Sequence, residues 1–152
     1  MIKKIYARNV LLALLLGASS LMAAQKTDLD TKYQHHVVVQ IDSKNPQIRK
    51  MSLNNVDALI NYFGKENIEV EVVIYGNKTG IDMAFEGSVL SERIKKMSQR
   101  PNVRFSACGN SQKKYEKRTG KKAHFMKEVT IVTAGVGRII ELQEEGYTYL
   151  HP

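Results

Sequence analysis

Short apolar runs alternate with amphipathic or polar stretches along this chain. The first run, His36-Val37-Val38-Val39-Gln40-Ile41, is β-branched and too apolar for a one-sided strand. It predicts a strand covered on both faces. Asp42-Ser43-Lys44-Asn45-Pro46 then supplies a turn and a helix start. Asn45 has a capping side chain, and Pro46 suits the first helical position. Val56, Leu59, Ile60 and Phe63 recur at i, i+3, i+4 and i+7, the apolar stripe of a core-facing helix. Gly64 is placed to end it. Residues 68–75 predict the second strand, and Gly76-Asn77-Lys78-Thr79-Gly80 the loop after it. Residues 81–85 are apolar and long enough for one helical turn. Ser88 is expected to cap the next helix, whose buried stripe is Leu90, Ile94 and Met97. Pro101 interrupts, and residues 103–107 form a third strand ending at Cys108.

The helix expected after Cys108, over residues 112–122, has almost no apolar face; Tyr115 stands nearly alone. Lys113, Lys114, Lys117, Arg118, Lys121 and Lys122 make it strongly basic. Residues 129–133 predict a fourth strand. Ala134-Gly135-Val136-Gly137 turns into a helix carrying Val136, Ile139 and Ile140. Gly146 stops that helix, and residues 147–150 make a short last strand. Strand and helix alternate throughout, which predicts a three-layer α/β/α sandwich with a mainly parallel sheet of about five strands. Sites on such sheets form beyond the carboxyl ends of the strands. Asp42, Gly76, Asn77, Cys108, Gly135 and Val136 all follow strands, so topology gathers them at one edge.

The N-terminus changes the picture of where the domain begins. Lys3, Lys4 and Arg8 form a basic region, residues 10–16 an uncharged apolar run, and Ala23 and Ala24 offer small residues for cleavage. Residues 1–24 therefore read as a cleaved export signal, with an uncleaved N-terminal anchor as the competing reading. The apolar stretch is short for a membrane span. Residues 25–35 form a polar lead-in, and residues 36–152 the single folded domain. The whole chain carries 23 Lys+Arg against 15 Asp+Glu, a net of +8. Without the three basic residues of the signal, 20 basic residues face 15 acidic ones, a net of +5. An excess of that size does not imply nucleic-acid binding.

Candidate chemistry centres on Cys108, the one cysteine in the chain. An unpaired thiol at a strand-to-helix turn has two readings: a nucleophile or sulfur carrier, or a small buried apolar residue. A helix N-terminus lowers a thiol pKa, because free N–H groups and the dipole favour the thiolate. Gly109 lets the backbone approach closely, Asn110 or Ser111 is expected to cap, and Lys113 and Lys114 add positive charge nearby. No histidine is placed by topology next to Cys108, so a Cys–His pair is not expected. His35 and His36 sit next to each other on a strand and point to opposite faces, and His151 is terminal. Asn54 and Asn55 interrupt a buried helix with polar side chains: either one of them, Asn54 as the site candidate, reaches the site edge to bond a ligand or a neighbouring subunit, or they serve local capping or are solvated. Gly76 and Asn77 line the same edge or form an ordinary turn. Gly135-Val136-Gly137 has too few glycines for a nucleotide fingerprint, although its N–H groups suit a small anion. No cofactor is read from the sequence.

Four strings together resemble the DsrE/DsrF-like family, the small α/β proteins of sulfur relay, and in particular its exported single-domain members. They are Val37-Val38-Val39-Gln40-Ile41 with Pro46 and then Ser52-Leu53-Asn54-Asn55; Val70-Glu71-Val72-Val73-Ile74-Tyr75-Gly76 with Gly80-Ile81; Val103-Arg104-Phe105-Ser106-Ala107-Cys108-Gly109-Asn110-Ser111; and the stretch from Ala134-Gly135-Val136-Gly137-Arg138 to Gly146-Tyr147. The likeness runs from about residue 36 to the end. It implies persulfide carriage on Cys108, which matches the family's cysteine at this turn. It also implies a homo-oligomer, a trimer or a hexamer built from trimers. One departure stands out: the family's helix after the cysteine is usually apolar and then acidic, whereas here it is lysine-rich and a few residues longer.

The expectation is an exported sulfur carrier, periplasmic or secreted, using Cys108. Its site would include Gly109, Asn110, Ser111, Gly76, Asn77, Asn54 and Gly135. Its partner would be a sulfur donor or acceptor protein, with no nucleic acid. The alternative is a non-catalytic oligomeric interaction module with an inert cysteine. The basic run from Lys113 to Lys122 is either a solvated face or a docking surface for an acidic partner or an anionic membrane.

Overall fold

A computed structural model describes residues 32–152, and the export-signal reading of residues 1–24 falls outside them. Five strands form one all-parallel sheet: β1 (His35–Ile41), β2 (Ile68–Ile74), β3 (Val103–Cys108), β4 (Thr130–Val132) and β5 (Thr148–Leu150). Their spatial order is β4-β3-β2-β1-β5. The helices are α1 (Pro46–Phe63), a 3₁₀ turn (Ile81–Ala84), α2 (Ser91–Ser98), α3 (Gly109–Thr119) and α4 (Gly135–Glu144). This is the expected three-layer sandwich, with every strand pair parallel.

The order of strands dictates the layers. From β1 to β4 each strand steps to its neighbour in the same direction, so right-handed crossovers put α1, α2 and α3 on one face. The return from β4 past the whole sheet to β5 puts α4 on the other. The first face holds the main core: Val37, Val39 and Ile41 of β1, Val70, Val72 and Ile74 of β2, and Val103, Phe105 and Ala107 of β3. Leu53 and Val56 of α1 and Ile94 and Met97 of α2 close over it, with Leu59, Ile60, Phe63 and Tyr115 packed around them. The second core is smaller, made of Val38, Val73, Ile139, Leu142 and Tyr147.

The helix ends follow the sequence in part. The Asn45 side chain accepts from the Gln47 N–H at 2.9 Å, Pro46 opens α1, and Gly64 closes it at φ 85°. Ser88 does not cap α2. The N-cap is Leu90, and the Ser88 hydroxyl instead donates to the Met83 carbonyl at 2.8 Å. The basic helix also ends earlier than expected. Gly120, in the left-handed region at φ 67°, stops α3 after Thr119 and leaves Lys121 and Lys122 beyond it.

The smaller core contains a polar layer. Glu71 lies in the middle of β2, buried at 2% exposure. Arg138 of α4 grips it with two parallel bonds, Nε to Oε1 and Nη2 to Oε2, both 2.9 Å. The Ser106 hydroxyl donates to Oε1 at 2.7 Å. Burial pushes the Glu71 carboxyl up, but Arg138 and Ser106 outweigh it and hold it below its usual range. Two positions away on the same face, Glu69 accepts from Tyr147, pairs with His36 at 2.8 Å and with Arg104 at 3.3 Å. A buried carboxylate is tolerated only when paired and hydrogen-bonded. This layer therefore fixes α4, and with it the helix start at Gly135, against β2 and β3.

Candidate functional site

The carboxyl ends of β1, β2, β3 and β4 and the starts of α3 and α4 meet at one edge, with Cys108 among them. Cys108 is the last residue of β3 and is itself the N-cap of α3. Its Sγ accepts a hydrogen bond from the Ser111 N–H at 3.4 Å, which is the capping interaction expected of Asn110 or Ser111. Asn110 is exposed, and its N–H donates to the Thr133 carbonyl at 3.2 Å. The thiol in turn points toward the Thr133 carbonyl, 3.8 Å away. Ser111 is buried and works in both directions. Its hydroxyl oxygen accepts from the Gly76 N–H at 3.1 Å, which ties the loop after β2 to the start of α3.

Two helix starts converge on the sulfur. Burial pushes the thiol up. The Ser111 hydroxyl and the backbone N–H groups of Gly135, Ser111 and Asn110 outweigh it, so the thiol lies below its ordinary value. Lys113 and Lys114 are exposed on α3 and are not among these groups. The donors that favour the thiolate are therefore fixed parts of the fold. Such groups need no rearrangement when charge develops on sulfur.

Gly135 is a glycine because of this convergence. A Cβ there would lie 2.9 Å from the Tyr75 Cβ and 3.3 Å from the Cys108 Cβ. Only a residue without a side chain lets the first turn of α4 come so close to both. Gly76, at φ 90°, occupies the left-handed region that favours glycine, so its turn geometry rests on that residue.

The expected site residues divide into two groups. Cys108, Gly109, Asn110, Ser111, Gly76 and Gly135 come together at the edge. Asn77 lies on its rim, where its carbonyl accepts from Arg118 at 2.7 Å. Asn54 lies elsewhere: its Oδ1 accepts from Arg93 at 2.8 Å and links α1 to α2. His35 stacks on Phe63, and His36 pairs with Glu69 on the opposite face, as strand alternation requires.

The edge also holds Tyr75 and Tyr149, which sequence pattern does not single out, and pairs Asp42 with His151. Tyr75 packs beside Gly135, and burial pushes its hydroxyl up. Tyr149 donates to Gln40 at 2.7 Å, and His151 Nε2 lies 3.2 Å from Asp42 Oδ1. The signal for the last pair is the pairing of β5 with β1, which aligns Val39 with Leu150. That pairing brings a terminal histidine beside the residue that follows β1. A groove of about 450 Å³ between Pro46, Arg49, Met83 and Leu90 does not include the thiol.

No protein-family model matches the chain, and no curated protein does either. Among solved structures, the chain is similar to MTH1491 from Methanobacterium thermoautotrophicum, a protein of unknown function. The two share 28% sequence identity, with a TM-score of 0.67, over 78% of this chain and 99% of the other. That likeness supports the compact α/β fold. No helix among the described residues is long and apolar enough to cross a membrane.

Proposed function

We propose that this protein is a sulfur carrier that holds a persulfide on Cys108. The observation that carries the reading is the thiol at the joint start of α3 and α4, its Sγ accepting the Ser111 N–H at 3.4 Å and Gly135 packed against it. The resemblance to the DsrE/DsrF-like family supports it, since that family's relay members load sulfur at this turn.

The step is a sulfur exchange without net redox change. The Cys108 thiolate attacks the outer sulfur of a donor persulfide. A new S–S bond forms on Cys108, the donor's S–S bond breaks, and the donor leaves as a thiolate with the bonding pair. The same fixed N–H groups then face the sulfur when it is handed on. Ser111 and Gly135 are positioning residues for the thiolate, and Gly76 holds Ser111 in place through its N–H.

The reading extends to an exported protein, periplasmic or secreted, on the strength of residues 1–24. The family resemblance extends it also to a homo-oligomer, trimer or hexamer, and Ile131, Val136 and Ile140 are more than half exposed near the same edge. Those apolar side chains favour a second reading, an oligomeric interaction module with an inert thiol. Alkylation of the folded protein at neutral pH separates the two. The carrier labels at Cys108 in the native state, whereas the module labels only after denaturation. Retention of full activity in cells by Cys108→Ser would likewise favour the module.

A further inference from the structure

The basic segment after Cys108 is not used by the sulfur chemistry, and its geometry is more than a run of solvated lysines. Gly120 turns the chain back at the end of α3, with its N–H on the Glu116 carbonyl at 2.8 Å. The returning segment is pinned to the helix twice. The Ala123 N–H donates to the Glu116 carboxylate at 3.0 Å, and the Gln112 side chain donates to the Ala123 carbonyl at 2.6 Å. The fold-back brings Lys121 and Lys122 alongside Lys113 and Lys117. Together with Glu116 and Gly120 they line a depression of about 330 Å³.

Charge in this depression is only partly compensated, by one carboxylate against four lysines. Glu116 is the one acidic residue between Gly109 and Lys122, and its carboxylate is engaged by the Ala123 N–H, with Lys122 3.9 Å away. Among the described residues no carboxylate lies within ion-pair distance of Lys113, Lys114, Lys117 or Lys121. Lys113 with Lys117 and Lys114 with Arg118 are like-charged i,i+4 pairs, which repel along the helix. Arg118 is differently occupied: it donates to the Asn77 carbonyl and lies over the Tyr115 ring. That contact ties the basic helix to the rim of the thiol site.

We propose that this depression docks an acidic segment of a partner protein, delivering it to the edge that holds Cys108. The inference rests on the carrier reading for the partner's role, as sulfur donor or acceptor, but not for its charge. A membrane surface fits less well, because the patch has no exposed apolar side chain to insert; Tyr115 is packed against Phe85. A single-stranded nucleic acid fits less well, because the patch offers no exposed aromatic ring on which bases stack.

The test is binding of a fluorophore-labelled oligo-glutamate peptide to the full-length protein, read by anisotropy. The comparison set is Lys113→Glu/Lys117→Glu/Lys121→Glu against a control triple, Lys44→Glu/Lys65→Glu/Lys96→Glu, which makes the same charge change elsewhere on the surface. The proposal expects the wild type and the control to bind, the first triple to lose at least tenfold in affinity, and binding to weaken as salt rises. Equal losses in both triples would overturn it. So would tighter binding to a single-stranded oligonucleotide or to phosphatidylglycerol vesicles than to the peptide. If charge reversal unfolds α3 by circular dichroism, the triple Lys→Gln variant at 113, 117 and 121 is judged by the same criterion. Sulfur loading of Cys108 is measured separately. Loading without peptide binding overturns the docking surface alone, and peptide binding without loading overturns the carrier alone.

Discussion

The Sγ of Cys108 accepts the Ser111 N–H at 3.4 Å, so the sole thiol of the chain caps the helix that follows it. Capping and stabilisation of the thiolate then share one contact. A group that satisfies a free N–H at a helix start does so better as an anion. The fold thus stabilises the form of cysteine that attacks sulfur.

The first prediction concerns pH. With its folded pKa held below the ordinary thiol value, Cys108 alkylates with a lower pH midpoint in the folded protein than in the denatured chain. Ser111→Ala removes a donor to the thiolate and moves the midpoint up, slowing alkylation at neutral pH severalfold. The same change leaves the Gly76 N–H without its acceptor and costs about 1 kcal/mol in stability. The sign for stability follows the shift. The contribution of the Cys108 thiolate is present above the unfolded thiol pKa and is lost as pH falls through the folded value. Stopped-time alkylation followed by intact mass, across a pH series, reads the midpoint; an unchanged midpoint in Ser111→Ala contradicts the role given to Ser111.

Gly135→Ala tests the close approach. Its Cβ would stand 2.9 Å from the Tyr75 Cβ, so α4 or Tyr75 must shift. We expect a loss of about 1–3 kcal/mol, as for overpacking elsewhere. Alkylation of Cys108 slows as well, because the Gly135 N–H moves away from sulfur. Thermal unfolding and alkylation on the same sample check both. Wild-type reactivity with lowered stability would remove Gly135 from the thiolate's environment.

Glu71 tests whether the buried polar layer sets the site from a distance. Glu71→Ala leaves Arg138 and the Ser106 hydroxyl without their partner. The expected cost is about 3 kcal/mol, the low end for a broken buried pair, because Arg138 partly reaches solvent. The Glu71 carboxyl lies below its ordinary value when folded. Its contribution is therefore complete above the ordinary carboxylate range of about 4.3 and is lost as pH falls through the folded value. Denaturant titrations across an acid series should show a flatter pH dependence in Glu71→Gln than in the wild type. Cys108 alkylation in that variant also slows, since Arg138 lies three residues after Gly135 and holds α4 in place. An alkylation rate equal to the wild type would confine Glu71 to stability.

The fold was legible in the sequence because its strands are β-branched runs and its glycines and proline mark the breaks. All five strands fall within one or two residues of their expected positions, and Asn45, Pro46 and Gly64 bound α1 as their chemistry requires. The start of α2 was not legible, because Ser88 spends its hydroxyl on the Met83 carbonyl, a contact no local pattern reveals. The end of α3 could have been read from Gly120, but the unbroken lysine pattern carried the expected helix past it. Within the site, Cys108 and its neighbours were legible from topology. The capping role was not, since cysteine is a rare cap and Asn110 and Ser111 are the better formers. Asn54 fell away because its position along α1 brings it to Arg93, which sequence spacing does not encode. The polar layer was legible in principle: Glu69 and Glu71 share one face of a strand whose other face is Val70 and Val72. Only the pairing of Glu71 with Arg104 across β2 and β3, and the approach of Arg138 from α4, reveal how those charges are satisfied.

Sulfur carriage on Cys108, the proposed function, is open to direct measurement. Incubation of the folded protein with a low-molecular-weight persulfide, removal of the donor and intact-mass measurement test it most directly. The expected result is a gain equal to one sulfur atom, reversed by a reducing thiol and absent in Cys108→Ser. A native protein that gains no sulfur under conditions where the denatured chain does, or one whose gain survives in Cys108→Ser, would contradict it.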